Sequence, residues 1–165
     1  MPEIIVIAHN IRSTHNIGSI FRTSEGFGIS KIIISGYSPY PITNNDTRLP
    51  HIAQKIDSQI HKTALGAERM VAFEHYETLP LEKLQRDGYE IIALEQSPNS
   101  IKLQNYIPKK PKIALLLGEE VHGIEKPLLD KCQEIIEIPM KGQKESFNVS
   151  VAAGIALYKL SIELN

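Results

Sequence analysis

Five stretches of the chain are apolar at nearly every position and rich in β-branched residues: EIIVIA (3–8), KIIIS (31–35), EIIALE (90–95), KIALLLG (112–118) and EIIEIP (134–139). A half-wetted strand alternates apolar with polar positions, whereas continuous runs mark parallel strands covered on both faces. MVAFEHY (70–76) reads as a weaker sixth strand. Helical patterns between them predict helices at about 16–27, 78–87, 125–131 and 147–163. Strands alternating with helices make an α/β fold with a mostly parallel sheet flanked by helices, in a single domain over 1–165. The stretch 36–69, with Pro39, Pro41 and Pro50, is the least regular and reads as a long functional loop with short helical turns.

The last segment, PMKGQKESFNVSVAAGIALYKLSIEL (139–164), joins two unlike halves. Pro139 to Ser146 is polar and broken by Gly142, which is expected to turn the chain. From Phe147 onward the positions are small and apolar nearly all the way round until Lys159. A surface helix shows one apolar stripe and one wet face. This helix must therefore be covered on more than one side.

Composition narrows the class without naming it. The 165 residues are 42% hydrophobic and 22% charged, with a formal net charge of -1; that is an ordinary globular balance, without the basic excess of many nucleic-acid binders. No apolar run approaches the roughly 18 residues of a membrane span, and the N-terminus enters a strand without a leader pattern. One cysteine, Cys132, excludes a disulfide framework and suits a reducing cytoplasm. The phosphate-binding glycine fingerprints, the G-x-S-x-G elbow and zinc-ligand spacings are all missing, so no metal is expected.

Three glycine-bearing loops follow strands. The first, NIRSTHNIGSIFR, holds Asn10, Arg12, Asn16, Gly18 and Arg22. Asn16 reads as a helix N-cap, and Gly18 lets something approach the first turn. Arg22 lies roughly on the opposite helix face, so the two meet only if Asn16 stands outside the helix. The second loop, LGEEVHGI, holds Gly118, Glu120 and Gly123. The third, IPMKGQKESFNVS, leads to a terminal helix capped by Ser146 or Asn148. Each alone is also readable as an ordinary capped helix or tight turn. In a parallel sheet, however, loops after strands open on one edge, where ligands bind. Together they describe one apolar slot with donors from helix starts.

The spacings N-x-R-x(3)-N-x-G-x(3)-R, L-G-x-E-x-x-G-I and I-P-M-x-G-x(3)-S-F-N-V-S-V-A-A-G-I-A-L-Y, in that order from residue 10 to 158, resemble the three motifs of the SpoU/TrmH-type SPOUT RNA 2′-O-ribose methyltransferases. The resemblance implies the SPOUT fold with a C-terminal trefoil knot, a homodimer, S-adenosyl-L-methionine as methyl donor and a ribose 2′-hydroxyl of structured RNA as acceptor. It implies Asn16 and Arg22, Glu120, and Ser146 with Asn148 as catalytic residues. Cofactor contacts are implied at Leu94, Glu95, Leu117, Gly118, Ile138, Met140, Ser146, Phe147 and Asn148, where Phe147 replaces a commoner leucine. Family members often carry terminal segments that grip RNA; none is expected here, which leaves substrate choice more open than chemistry.

A guanidinium is a poor base, so Arg22 is expected to grip a phosphate and stabilise the developing alkoxide. RNA contacts are expected from Arg12, Arg48, His51, Lys141 and Lys144, with Lys109 and Lys110 as a further pair or merely a solvated face. The substrate is expected to be tRNA. The alternatives are rRNA 2′-O-methylation and a SPOUT-like module that binds RNA without transferring methyl.

Overall fold

The computed structural model describes residues 1–164. Seven strands, β1 (Glu3–His9), β2 (Lys31–Ser35), β3 (Ala72–Tyr76), β4 (Glu90–Leu94), β5 (Ile101–Lys102), β6 (Lys112–Leu117) and β7 (Glu134–Glu137), form one sheet in the order β3-β2-β1-β6-β4-β7-β5. Every paired neighbour is parallel. The five apolar runs are the strands that sit inside this sheet. The two-residue β5, which has no apolar run, lies at the edge.

Side chains alternate across a strand, and here each strand feeds two cores. Ile4, Val6 and Ala8 of β1, with Ile113, Leu115 and Leu117 of β6, face the helices α1 (Thr14–Gly26), α2 (Pro50–Ala64) and α5 (Val149–Glu163). Ile5 and Ile7, with Ala114 and Leu116, face the other way, under the short helices α3 (Leu81–Arg86) and α4 (Lys126–Leu129). Burial on both faces explains why the strands read as unbroken apolar runs.

The expected long loop over 36–69 is corrected: its second half is the fifteen-residue helix α2. Pro50 sits in the helix's first turn, where a missing N–H costs nothing. Ala53, Ile56, Ile60 and Ala64 form its inward stripe, and Leu65 ends it in the left-handed region. Gly18 is also explained differently. A Cβ there would lie 2.1 Å from Thr63 Oγ1 and 2.3 Å from the Ile60 carbonyl. What approaches the start of α1 is therefore α2, and no ligand is needed to account for the glycine.

Helix α5 carries two apolar stripes. Ala153, Ala156, Leu157 and Leu160 are buried against the sheet and α1. Val151, Ile155, Tyr158 and Ile162 are 50%, 38%, 60% and 54% exposed on the outer side. The all-round apolar pattern is thus half satisfied within one chain.

Candidate functional site

The loops after β4, β6 and β7 meet at the carboxyl edge of the sheet and enclose a cleft of about 250 Å³. Of the expected cofactor contacts, Leu94, Glu95, Leu117 and Gly118 line it from the strand ends. Ile138, Ser146 and Phe147 line it from the last loop. Met140 and Asn148 do not line it.

The walls are held by backbone. After β6 the chain doubles back: Glu119 N–H donates to the Gly123 carbonyl at 3.2 Å, and Gly123 N–H returns to Glu119 at 2.8 Å. The Glu95 carboxylate accepts the Ile124 N–H at 2.9 Å and its neighbour's, Gln96, at 2.8 Å. Gln96 then donates from Nε2 to the Glu145 carbonyl at 2.7 Å. The β4 loop thereby staples both of the others.

Helix α1 is capped by Ser13, not Asn16. The Ser13 hydroxyl accepts the Asn16 N–H at 3.1 Å, so Asn16 lies inside the first turn. Its side chain points to the other motifs. Asn16 Nδ2 donates to Glu120 Oε1 at 3.1 Å, and Asn16 Oδ1 accepts from Asn148 Nδ2 at 3.1 Å. Asn148, not Ser146, caps α5, accepting the N–H groups of Ser150 and Val151. Glu120 completes the chain by accepting the backbone N–H groups of Arg12 and Ser13 at 3.1–3.2 Å. Burial pushes the Glu120 carboxyl up, but these donors outweigh it and hold the group below its usual value. Its partners are thus the backbone of Arg12 and Ser13 and the side-chain amide of Asn16.

Arg22 is not brought to this cluster. Six residues of helix place it about 120° around the axis from Asn16, exposed, and among the described residues its guanidinium has no hydrogen bond or ion pair. It lies beside Ser19 and Thr23, which border the groove formed with Val151, Gly154 and Ile155 of α5.

The expected RNA contacts separate into two groups. Arg12, His51, Lys141 and Lys144 are exposed. Arg48 is corrected: its guanidinium donates to Asp46, to the Tyr40 carbonyl at 2.9 Å and to the Pro41 carbonyl at 3.2 Å, and lies 3.6 Å from the Tyr40 ring. It is committed to folding its own loop. For Lys109 and Lys110 the structure favours the second expectation, a solvated face. They precede β6 and so lie at the opposite edge of a parallel sheet, where Lys109 pairs with Glu134.

Sequence reasoning missed the acidity of the cleft. Glu119, Glu137 and Glu145 line it together with Glu95 and Glu120. Only the double glutamate of LGEEVHGI signalled this in the sequence.

Residues 3–158 match the SpoU rRNA Methylase family, and the chain belongs to it. The 23S rRNA (guanosine-2′-O-)-methyltransferase RlmB of Coxiella burnetii is 27% identical over 161 residues, covering 96% of this chain and 58% of that one. The tRNA (guanosine(18)-2′-O)-methyltransferase of Aquifex aeolicus is 29% identical over 160 residues, covering 95% of this chain and 68% of that one. An AdoMet-bound rRNA methyltransferase from Sinorhizobium meliloti shares the fold at a TM-score of 0.82 and 23% identity, covering 100% of this chain and 58% of that one. The chain thus spans between just over half and about two thirds of the length of these relatives.

Proposed function

We propose that this chain transfers a methyl group from S-adenosyl-L-methionine to a ribose 2′-hydroxyl of a structured RNA, with tRNA as the substrate class. The observation that carries this reading is the Glu120–Asn16–Asn148 chain of hydrogen bonds, which ties all three motif loops into one frame beside the cleft. Of the relatives above, the tRNA enzyme has the higher identity and is spanned more fully.

The cleft's chemistry fits the donor. S-adenosyl-L-methionine bears a sulfonium and an ammonium against one carboxylate, and five glutamates with apolar walls suit a cation-bearing ligand. The same carboxylates oppose a nucleotide polyphosphate. When bound, the donor supplies a methyl group activated by positive sulfur. Leu94, Leu117 and Ile138 exclude water from it. Ser146 and Asn148 orient the acceptor ribose at the mouth. Glu120 is a positioning residue that fixes Asn16 through an ionised carboxylate.

No arginine or lysine lines the cleft among the described residues, so a developing alkoxide there lacks a cationic partner within one chain. A second copy supplies it. The outer stripe of α5 offers an apolar face for a homodimer, bordered by Ser19 and Thr23 of the helix that carries Arg22. A C-terminal trefoil knot is part of the same proposal. Its support is the strand order: the chain leaves β4 for the edge at β5, crosses to β6, then returns to slot β7 between β4 and β5.

Total RNA from cells lacking the protein, incubated with the pure protein and methyl-labelled donor, tests the reading. A single new 2′-O-methyl nucleotide in tRNA is the expected result. Label in rRNA moves the substrate class, and RNA binding without label leaves a non-catalytic module.

A further inference from the structure

The loops after β1 and β2 are stitched together by bonds that the cleft does not require. His9 Nδ1 lies 2.8 Å from the Ser35 hydroxyl. The buried Ser38 hydroxyl accepts the Ile11 N–H at 2.8 Å and donates to the Ala8 carbonyl at 3.1 Å. Asn10 adopts the left-handed region at φ 54°, and its side-chain oxygen accepts the Tyr37 N–H at 3.2 Å. Gly36 is also left-handed, and a Cβ there would sit 1.9 Å from that same oxygen. A non-glycine residue held at positive φ costs free energy that its surroundings must supply.

All this rigidity ends in an exposed ring. Tyr37 is 60% exposed, and among the described residues no ring or cation stacks on it. Tyr40, three residues on, is by contrast sandwiched between His75 and Arg48. The Tyr37 N–H is held by Asn10, two residues before Arg12, whose own N–H is held by Glu120 of the cleft wall. The Arg12 guanidinium is itself unpartnered among the described residues. An aromatic face and a free guanidinium on a fixed mount suit an unstacked RNA base and its phosphate.

We propose that Tyr37, mounted by Asn10 and Gly36, is a platform on which an unpaired base of the substrate RNA stacks beside the cleft, with Arg12 meeting the adjoining phosphate. This rests on the RNA methyltransfer reading and adds a positioning residue that fixes how the acceptor strand lies.

The probe is total RNA from cells lacking the protein. Tyr37→Ala is expected to raise KM for RNA by roughly five- to hundred-fold, the range for losing one base stack. Its kcat and its calorimetric affinity for the donor stay unchanged. Tyr37→Phe keeps the π face and restores the wild-type KM. The chain has no tryptophan, so Tyr37→Trp makes a single reporter whose emission RNA should quench, more weakly as salt rises. An unchanged KM in the alanine variant, a phenylalanine variant as impaired as alanine, or unquenched tryptophan at saturating RNA each overturns the platform. If the wild type labels no RNA, the transfer reading fails separately, and the tryptophan signal alone then decides whether bases stack there.

Discussion

Glu120 accepts from three residues at once, and all three are near the start of α1: the backbone N–H groups of Arg12 and Ser13 and the side chain of Asn16. A carboxylate at a helix N-terminus is further favoured by the helix dipole. With its folded pKa depressed, its stabilisation is complete above the unfolded value of 4.5 and is lost as pH falls through the lower folded value. Glu120→Gln should therefore cost about 1 kcal/mol at neutral pH, discounted for partial solvent screening. The gap in melting temperature between the variant and wild type should close at pH values well below 4.5. A gap that persists unchanged in acid would mean that shape, not charge, holds the loop. The glycines separate in the same way. A Cβ on Gly118 would meet Ile124 at 2.4 Å and Gly123 at 2.8 Å, whereas one on Gly142 meets nothing within 4 Å. The chain does bend at Gly142, as expected, but without a left-handed backbone, so the bend does not require glycine. Gly118→Ala should accordingly weaken donor binding by tenfold or more in calorimetry, through a displaced Gly123 turn, while Gly142→Ala leaves it unchanged.

At the scale of elements, what was legible was whatever a local pattern determines. The five inner strands were read to within two residues at their ends because burial on both faces writes itself as an unbroken apolar run, whereas β5, which has no such run, was not read at all. The terminal helix carries both stripes in its sequence, but the fold of one chain covers only the inner one and leaves Val151, Ile155, Tyr158 and Ile162 exposed. Helix α2 was not legible, because its inward stripe of Ala53, Ile56, Ile60 and Ala64 holds only two large apolar residues and follows three prolines that look like loop residues. Its reason for being a helix is the face of α1 at Gly18, which no local window contains. Arg48 failed similarly: an arginine in an irregular segment reads as free, and only the folded loop shows Asp46 and two carbonyls waiting for it. The two sides of α5 should respond differently to substitution. Leu157→Ala removes a fully buried side chain and should cost about 2–5 kcal/mol in denaturant unfolding. Ile155→Asp, on the outer stripe, should leave the fold intact and shift light scattering from two chains' mass to one. Scattering that gives one chain's mass for the wild type would remove the second copy from the proposal.

Across the whole molecule, the sheet puts every functional loop on one edge, yet it divides the expected catalytic set between two surfaces. Glu120, Asn16 and Asn148 are joined beside the cleft, and Arg22 stands on another face of α1. Asn16 standing outside the helix as its cap is the one arrangement in the sequence that would let it meet Arg22. The Ser13 cap closes that route, so one chain does not assemble the set. In the proposed twofold dimer the same patch on each subunit faces the other, and Arg22, next to Ser19 and Thr23 of the α5 groove, would reach the partner's cleft. Mixing two defective chains tests this directly. Arg22→Ala keeps an intact cleft but has no arginine to lend, and Gly118→Ala lends its arginine but has a damaged cleft. With the donor held well below its wild-type Kd, each alone should transfer methyl at about a tenth of the wild-type rate or less, the first with normal donor affinity and the second without it. In a randomly re-associated mixture half the dimers are mixed, and each holds one cleft paired with one intact Arg22. Activity should then return to about a quarter of wild type. If Arg22 instead serves its own chain's cleft, neither subunit in the mixed dimer has both parts, and the mixture stays as inactive as its components.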